Sequence, residues 1–225
     1  TTSLGAQQAE HWTATLRHER GPLRLRLAGY LKPYRDLVVP TGDATYANVG
    51  SGIARGVDAF AKYGGFLETR LSGWMSYSFV QSRRTQIRRR GPNVTLERGP
   101  APFDLTHQVT AVGKVRLVDM LFAGFTARQT TGSPITPVVD AVPQGDGTYA
   151  PVEGPVGSER LPVYRRLDLQ LSYYIPLGTG QHLTVYAAVN NALDRANVID
   201  ATYTPDYRTR TQQTTNFRRS IYFGL

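Results

Sequence analysis

The sequence predicts an all-β fold: an antiparallel transmembrane β-barrel segment of about nine long strands, with short turns at one rim and long loops at the other. Three observations carry this. Apolar and polar residues alternate with period two along the chain, so each ribbon has an apolar side and a polar side. Several ribbons run roughly 11–15 residues, whereas strands of soluble sheets are usually about 5–6 and a tilted membrane strand needs about 9–11. The connections alternate strictly between short and long, as in membrane barrels.

The first ribbon, about His11 to Glu19, sets Trp12, Ala14 and Leu16 against Thr13, Thr15 and Arg17. The second, Leu23 to Lys32, sets Leu23, Leu25, Leu27 and Leu31 against Arg24, Arg26, Tyr30 and Lys32. In the third, Gly52 to Tyr63, Val57, Ala59, Ala61 and Tyr63 oppose Asp58, Phe60 and Lys62. The fourth, Phe66 to Val80, opposes Leu67, Leu71, Met75, Tyr77 and Phe79 to Glu68, Arg70, Ser72, Trp74 and Ser76. The fifth, Leu105 to Leu117, opposes Val109, Ala111, Val115 and Leu117 to Gln108, Thr110, Lys114 and Arg116. The sixth, Leu121 to Gln129, opposes Leu121, Ala123, Phe125 and Ala127 to Thr126 and Arg128. The seventh, Tyr164 to Ile175, opposes Leu167, Leu169, Leu171, Tyr173 and Ile175 to Arg166, Asp168, Gln170 and Ser172. The eighth, His182 to Asp194, opposes Leu183, Val185, Ala187 and Val189 to Thr184, Tyr186 and Asn190. The last ribbon sets Ile221, Phe223 and Leu225 against Arg218, Ser220 and Tyr222.

Arg20-Gly21-Pro22, Gly64-Gly65, Val118-Asp119 and Gly178-Thr179-Gly180 are the short turns; 33–50, 81–104, 130–163 and 195–212 are the long loops. A soluble β-sandwich would alternate as well. However, the apolar side carries Gly29, Ala59, Ala111, Ala127 and Ala187, which would fill a sandwich core poorly and are harmless against lipid. With the long loops outside, Trp12, Tyr77 and Phe79 fall near the outer interface, and Tyr63, Tyr173 and Phe223 near the inner one, a double aromatic girdle. Arg219 falls on the lipid side near mid-depth, where a charge costs about 2–4 kcal/mol.

Composition agrees. Hydrophobic residues are 40% and charged residues 19%, with no apolar run of the ~18 residues a transmembrane helix requires. There is no cysteine, which excludes disulfides and thiolate metal sites. The net charge of +9 is spread along ribbons and loops, not gathered into a nucleic-acid-binding motif. The four histidines are dispersed without metal-ligand spacing, so no cofactor is expected. Thr131-Gly132-Ser133-Pro134 is a turn and lacks the spacing of a nucleophile elbow, so no enzyme activity is expected. Thr1-Thr2-Ser3 opens a polar segment with neither Met nor signal peptide, and is read as part of a longer or processed chain.

The polar side defines the candidate site. Arg24, Arg26, Lys114, Arg116, Arg128, Arg166 and Arg218 face the interior, joined by Arg70 and opposed by Asp58, Glu68 and Asp168. Such a wall would attract anionic ligands. Ion-pair ladders are the simpler expectation: Asp58 with Arg70, Glu68 with Lys62, Asp168 with Arg218 or a neighbour. In the external loops, Arg88, Arg89, Arg90, Tyr203 and Tyr207 are candidate ligand contacts.

Several segments resemble the C-terminal part of a TonB-dependent outer-membrane transporter. Val189-Asn190-Asn191-Ala192-Leu193-Asp194-Arg195-Ala196-Asn197 is similar to that family's penultimate-strand signature, with Ala192-Leu193 where the family usually has Leu-Phe. Tyr164-Arg165-Arg166-Leu167-Asp168-Leu169 resembles the preceding strand's Arg-Leu-Asp motif. Asn48-Val49-Gly50 through Arg55-Gly56-Val57-Asp58 resembles an Asn-x-Gly…Gly-Val-Glu strand, and Pro102-Phe103-Asp104 to His107 the start of another. The terminal ribbon resembles the barrel-assembly signal, ending in Leu225 where Phe is commoner.

The resemblance implies the last strands of a barrel of about 22 around a plug. The plug and earlier strands would lie elsewhere in the same protein, and the cationic side would then also grip an acidic plug surface. It also implies partners: outer-membrane lipid, the TonB complex acting through the plug, the barrel-assembly machinery, and an unknown solute, with no nucleic acid. The implied function is active uptake of a scarce solute across the bacterial outer membrane. A passive porin and a soluble sandwich binding module are the alternatives.

Overall fold

The computed structural model describes residues 4–42, 45–65 and 68–225. Thr1-Thr2-Ser3, Phe66 and Leu67 lie outside the described residues. Eight long strands and a short ninth succeed one another as antiparallel neighbours: β1 (Trp12–Arg20), β2 (Leu23–Gly42), β3 (Thr45–Tyr63), β4 (Leu71–Arg90), β5 (His107–Val118), β6 (Leu121–Thr130), β7 (Tyr164–Gly178), β8 (Gln181–Asn190) and the five-residue β9 (Ser220–Gly224). Each predicted ribbon therefore has its strand, in order. The sheet is open along its length and forms one wall of a barrel.

Alternation places the leucines on the outer, convex side. Leu16 is 70% exposed, Leu71 56% and Ile221 63%, and no second layer covers them among the described residues. A sandwich would bury these side chains, and that alternative falls here. Backbone hydrogen bonds run unbroken across the bilayer-facing part, as an environment without water demands. Gly21, at φ 55°, and Met120, at φ 61°, make tight turns at the inner rim.

Four expectations are corrected. The loop expected over 33–50 is a hairpin: β2 and β3 stay paired to Gly42 and Thr45, their register jogged near Asp36, which sits at φ 53°. Those jogs break the period-two pattern, which is why the sequence reads as loop there. The loop expected over 81–104 is likewise ordered, because β4 continues to Arg90 and folds back as Asn93–Pro100. The fourth strand begins at Leu71, so Glu68 and Arg70 belong to the turn before it and not to the strand. Finally, β9 begins at Ser220 opposite Asn190, at the outer end of β8. Arg218 and Arg219 therefore lie above the strand, outside the apolar belt. Phe223 pairs with Ala187, halfway along β8, and not at the inner interface.

Candidate functional site

Two regions gather polar chemistry: the concave wall, and the external rim where hairpins attach.

On the wall, register fixes which side chains meet. Lys114 of β5 lies opposite Gly124 of β6, which leaves room for its long side chain to cross toward Phe122 and Tyr174. The Lys114 ammonium sits 3.8 Å from the Phe122 ring centroid and 5.3 Å from that of Tyr174. The two rings meet edge-on, with centroids 5.4 Å apart, so the cation rests on a built aromatic floor. Beside it, the Gln170 amide donates to Ser172 Oγ at 2.9 Å. These groups and Asp168 line a shallow depression of about 320 Å³ on the interior side. Along β2 and β3, the Arg26 guanidinium lies 6.0 Å from the Phe60 centroid, and Phe60 stacks on Trp74.

Arg24, Arg26, Asp58, Lys114, Arg116, Arg128, Arg166 and Asp168 all stand on strands with their side chains on this concave side. Among the described residues the Asp58–Arg70 and Glu68–Lys62 pairs do not form, whereas Asp168 finds a neighbour, Arg166, in place of Arg218. Asp58 accepts from Ser78 Oγ at 2.5 Å. Asp168 pairs with Arg166 of its own strand at 2.7 Å and accepts the Asn191 amide at 2.8 Å. Arg218 pairs with Asp194 instead, both guanidinium contacts at 3.0 Å. The reason is local geometry: two residues apart on one face brings Arg166 and Asp168 together, whereas Arg218 is off the strand. Glu68 and Arg70 lie in the turn, where the Arg70 carbonyl accepts the Arg116 amide. Sequence reasoning missed Phe122 and Tyr174. Phe122 follows Leu121 directly, and only the phase of the sixth ribbon marks it as interior.

At the rim, motif residues act as knots. Asn191 is 4% exposed, takes the left-handed φ of 49°, donates to the carbonyls of Arg195 and Phe217, and accepts the Arg195 amide. Asn197, 3% exposed, accepts the Arg165 amide and donates to its carbonyl, clipping the descending segment to β7 like an extra strand residue. Arg218 holds the Asp194 carboxyl well below the usual carboxylate range, at about 2, helped by the Arg219 amide. Asp104 is 3% exposed and accepts from the Ser82 amide, Thr106 Oγ1 and Arg160.

The external candidates are also engaged. Arg88 bonds Glu97 at 2.8 Å and the Glu153 carbonyl at 3.0 Å, and its hydrogen bond holds Glu97 below the usual range. The Arg89 amide and guanidinium bind the Glu153 carboxylate. Arg90 pairs through its backbone with Val152 and Asn93. These three fasten the strand Tyr149–Glu153 to the β4 hairpin. Tyr203 Oη accepts the Val138 amide at 3.1 Å and its ring tilts on Tyr207, joining the hairpin Val198–Thr214 to the neighbouring one. Of the girdle, Trp12, Tyr77 and Phe79 stand at the outer end and Tyr63 and Tyr173 at the inner end of the convex face.

A one-layer sheet with a bare apolar convex face, a charged concave face and hairpins along one rim is the wall of an outer-membrane barrel. The chain belongs to the TonB dependent receptor-like β-barrel family, whose model matches residues 1–192. No curated protein matches it. Among solved structures it is similar to the ferric-catecholate import receptor Fiu of Escherichia coli K12 in its closed form, at 16% identity and a TM-score of 0.64 over 96% of this chain and 27% of that one. It is similar too to the outer-membrane transporter YddB of Escherichia coli, at 15% identity and a TM-score of 0.66 over 98% of this chain and 32% of that one. At these identities the likeness is one of fold, and the chain spans about a third of those transporters.

Proposed function

We propose that this chain forms nine strands of a larger, plugged barrel that takes up a scarce solute across the outer membrane, energised by the TonB complex acting on the plug. Membership in the receptor-barrel family is the observation that carries this reading. The concave wall supports it, since a surface rich in fixed cations and aromatic floors suits an acidic plug face at mid-height. The wall's role is to hold and guide, with no catalytic step.

The test uses the full-length receptor in a Gram-negative host starved of candidate solutes. Growth or labelled uptake should depend on the receptor and fall to background when TonB is deleted or the proton gradient is collapsed. Uptake that survives both would refute energised transport and establish a passive pore.

A further inference from the structure

Two external hairpins repeat one construction. Val138-Val139-Asp140-Ala141 opens the strand Val138–Pro143, and Val198-Ile199-Asp200-Ala201 opens the strand Val198–Tyr203. In each, the register slips between the first valine and the aspartate, which throws the residue between them into a bulge. In each, the aspartate Oδ1 accepts the amide of the following alanine at 2.8 Å. The bulged side chains are left exposed, Val139 at 64% and Ile199 at 56%.

Those alanine amides point away from their own hairpins. Bonded and non-bonded pairs alternate along an antiparallel ladder. At one tip the Gln144 amide donates to the Thr148 carbonyl at 2.7 Å, so the pairs Pro143–Tyr149 and Ala141–Pro151 exchange no hydrogen bonds. The Pro151 carbonyl agrees, since it turns the other way and accepts the Gly91 amide at 3.0 Å. At the other tip the Thr204 amide donates to the Thr209 carbonyl at 2.9 Å, and the same alternation turns Ala201, opposite Gln212, outward. Among the described residues no strand pairs with the outer side of Val138–Pro143, and the Val198–Thr214 hairpin pairs only with itself. Val138–Pro143 is therefore a free edge stripped of donors: Asp140 caps Ala141, Pro143 has no N–H, and the Val138 amide goes to Tyr203 Oη at 3.1 Å.

We propose that Asp140 and Asp200, with Pro143, keep these edges from taking a further strand, and that the strand refused is the same edge of a second copy of the receptor. A bare edge rich in β-branched residues is a template for pairing with another chain. Copies embedded in one membrane hold this edge at one height, so each meets its own counterpart there. Such pairing would be two-fold and antiparallel, with the same residues on both sides. Capping removes the donors that it needs, and the bulge bends the strand away from a straight partner.

The full-length receptor in detergent micelles is compared with the triple variant Asp140→Ala/Pro143→Thr/Asp200→Ala by sedimentation over a dilution series. The unaltered receptor should stay monomeric. The triple variant should dimerise, its association stronger by about tenfold or more, the scale of one restored hydrogen bond. Asp140→Asn/Asp200→Asn keeps an acceptor oxygen, removes the charge, and should stay monomeric. Hydrogen exchange reads the amides directly. In the unaltered receptor Ala141 and Ala201 should exchange about tenfold or more slowly than an uncapped surface amide. In the triple variant both should lose that protection when dilute, and Ala141 should regain it in the dimer. The proposal is overturned if the triple variant remains monomeric, or if it associates with Ala141 still unprotected. It is overturned too if the asparagine variant dimerises, which would make charge repulsion the barrier. Unprotected Ala141 and Ala201 amides in the unaltered receptor overturn it as well, and that measurement needs no variant, so a misfolded substitution leaves the test intact.

Discussion

Replacing Asp104 with Asn should open the external rim without disturbing the membrane part of the sheet. Asp104 is the centre of a knot: its carboxylate accepts from the Ser82 amide at 2.6 Å, from Thr106 Oγ1 at 2.7 Å and from Arg160 Nη2 at 3.0 Å. Arg160 Nη1 also reaches the carbonyls of Asp104 and Gly132, so the guanidinium joins three segments. A charge pair near 4 Å is worth about 4 kcal/mol gross at an effective dielectric of 20. The Arg160 side chain is 33% exposed, which lets water recover part of the loss. A net cost of about 2–3 kcal/mol follows for Asp104→Asn. Arg160→Met should cost about 3–4 kcal/mol, because it strands a buried carboxylate. The double variant should cost about 2 kcal/mol less than the sum of the two single changes. Denaturant unfolding of the full-length receptor in micelles gives the energies, and hydrogen exchange at the Ser82 and Leu161 amides shows whether the opening is local. A cost below about 0.5 kcal/mol for Asp104→Asn, or strict additivity in the double variant, would refute the knot.

Three further outcomes follow from the geometry. The folded-state pKa of Asp194 is depressed to about 2, so the Arg218 contact contributes fully above the ordinary carboxylate value near 4 and is lost as pH falls through about 2. Carboxyl NMR should show Asp194 titrating in that window, and Arg218→Gln should return it toward 4. Gly56→Ala should destabilise the sheet by about 1–3 kcal/mol, because a methyl there would collide with the Phe79 carbonyl and the Tyr30 ring. Gly29→Ala, whose nearest neighbour is 4.0 Å away, should be neutral or mildly stabilising by the same unfolding assay. Lys114→Met keeps the side chain's length and removes its charge from the Phe122 ring, so the unfolding free energy should fall by about 1 kcal/mol. A loss under about 0.3 kcal/mol would make that contact incidental.

How much could be read from sequence depended on what each residue answers to. Leu25, Leu27, Leu169 and Leu171 answer only to the face of their own strand, and period two placed each of them correctly on the lipid side. Arg218 answers to a partner 24 residues away, and no pattern along a strand could show that Asp194 would hold it above the start of β9. The same capture explains Arg219, whose amide bonds Asp194 at 2.9 Å. The puzzle of a charge at mid-depth arose from extending the alternation two residues too far. The external hairpins were hidden for a related reason. Outside the bilayer both faces of a strand meet water or another hairpin, so nothing enforces alternation, as Arg88-Arg89-Arg90 at the paired end of β4 illustrates.

The motif residues then take on a physical meaning that resemblance alone did not give them. Asn48 binds both the Gly5 carbonyl and the Asp36 carbonyl at the jog in β2. Asp104 gathers β4 and two loops, and Asn191 and Asn197 pin the segment after β8. Each stands where a strand leaves the apolar belt and its backbone loses a regular partner, which is where an unpaired amide or carbonyl would otherwise be stranded. Their polar atoms are consumed in doing so, and a consumed group has little left for a ligand. The same accounting applies to Arg88, Arg89 and Tyr203, which fasten one hairpin to the next. Two other cations are held by contacts of a different kind: Lys114 rests over its aromatic floor within the wall, and Arg55 is braced by Gln81 on the membrane side. The two lie on opposite faces of one sheet. A substitution that abolishes one contact should leave the other untouched, and a variant that impairs both would point to the shared strands rather than to either site.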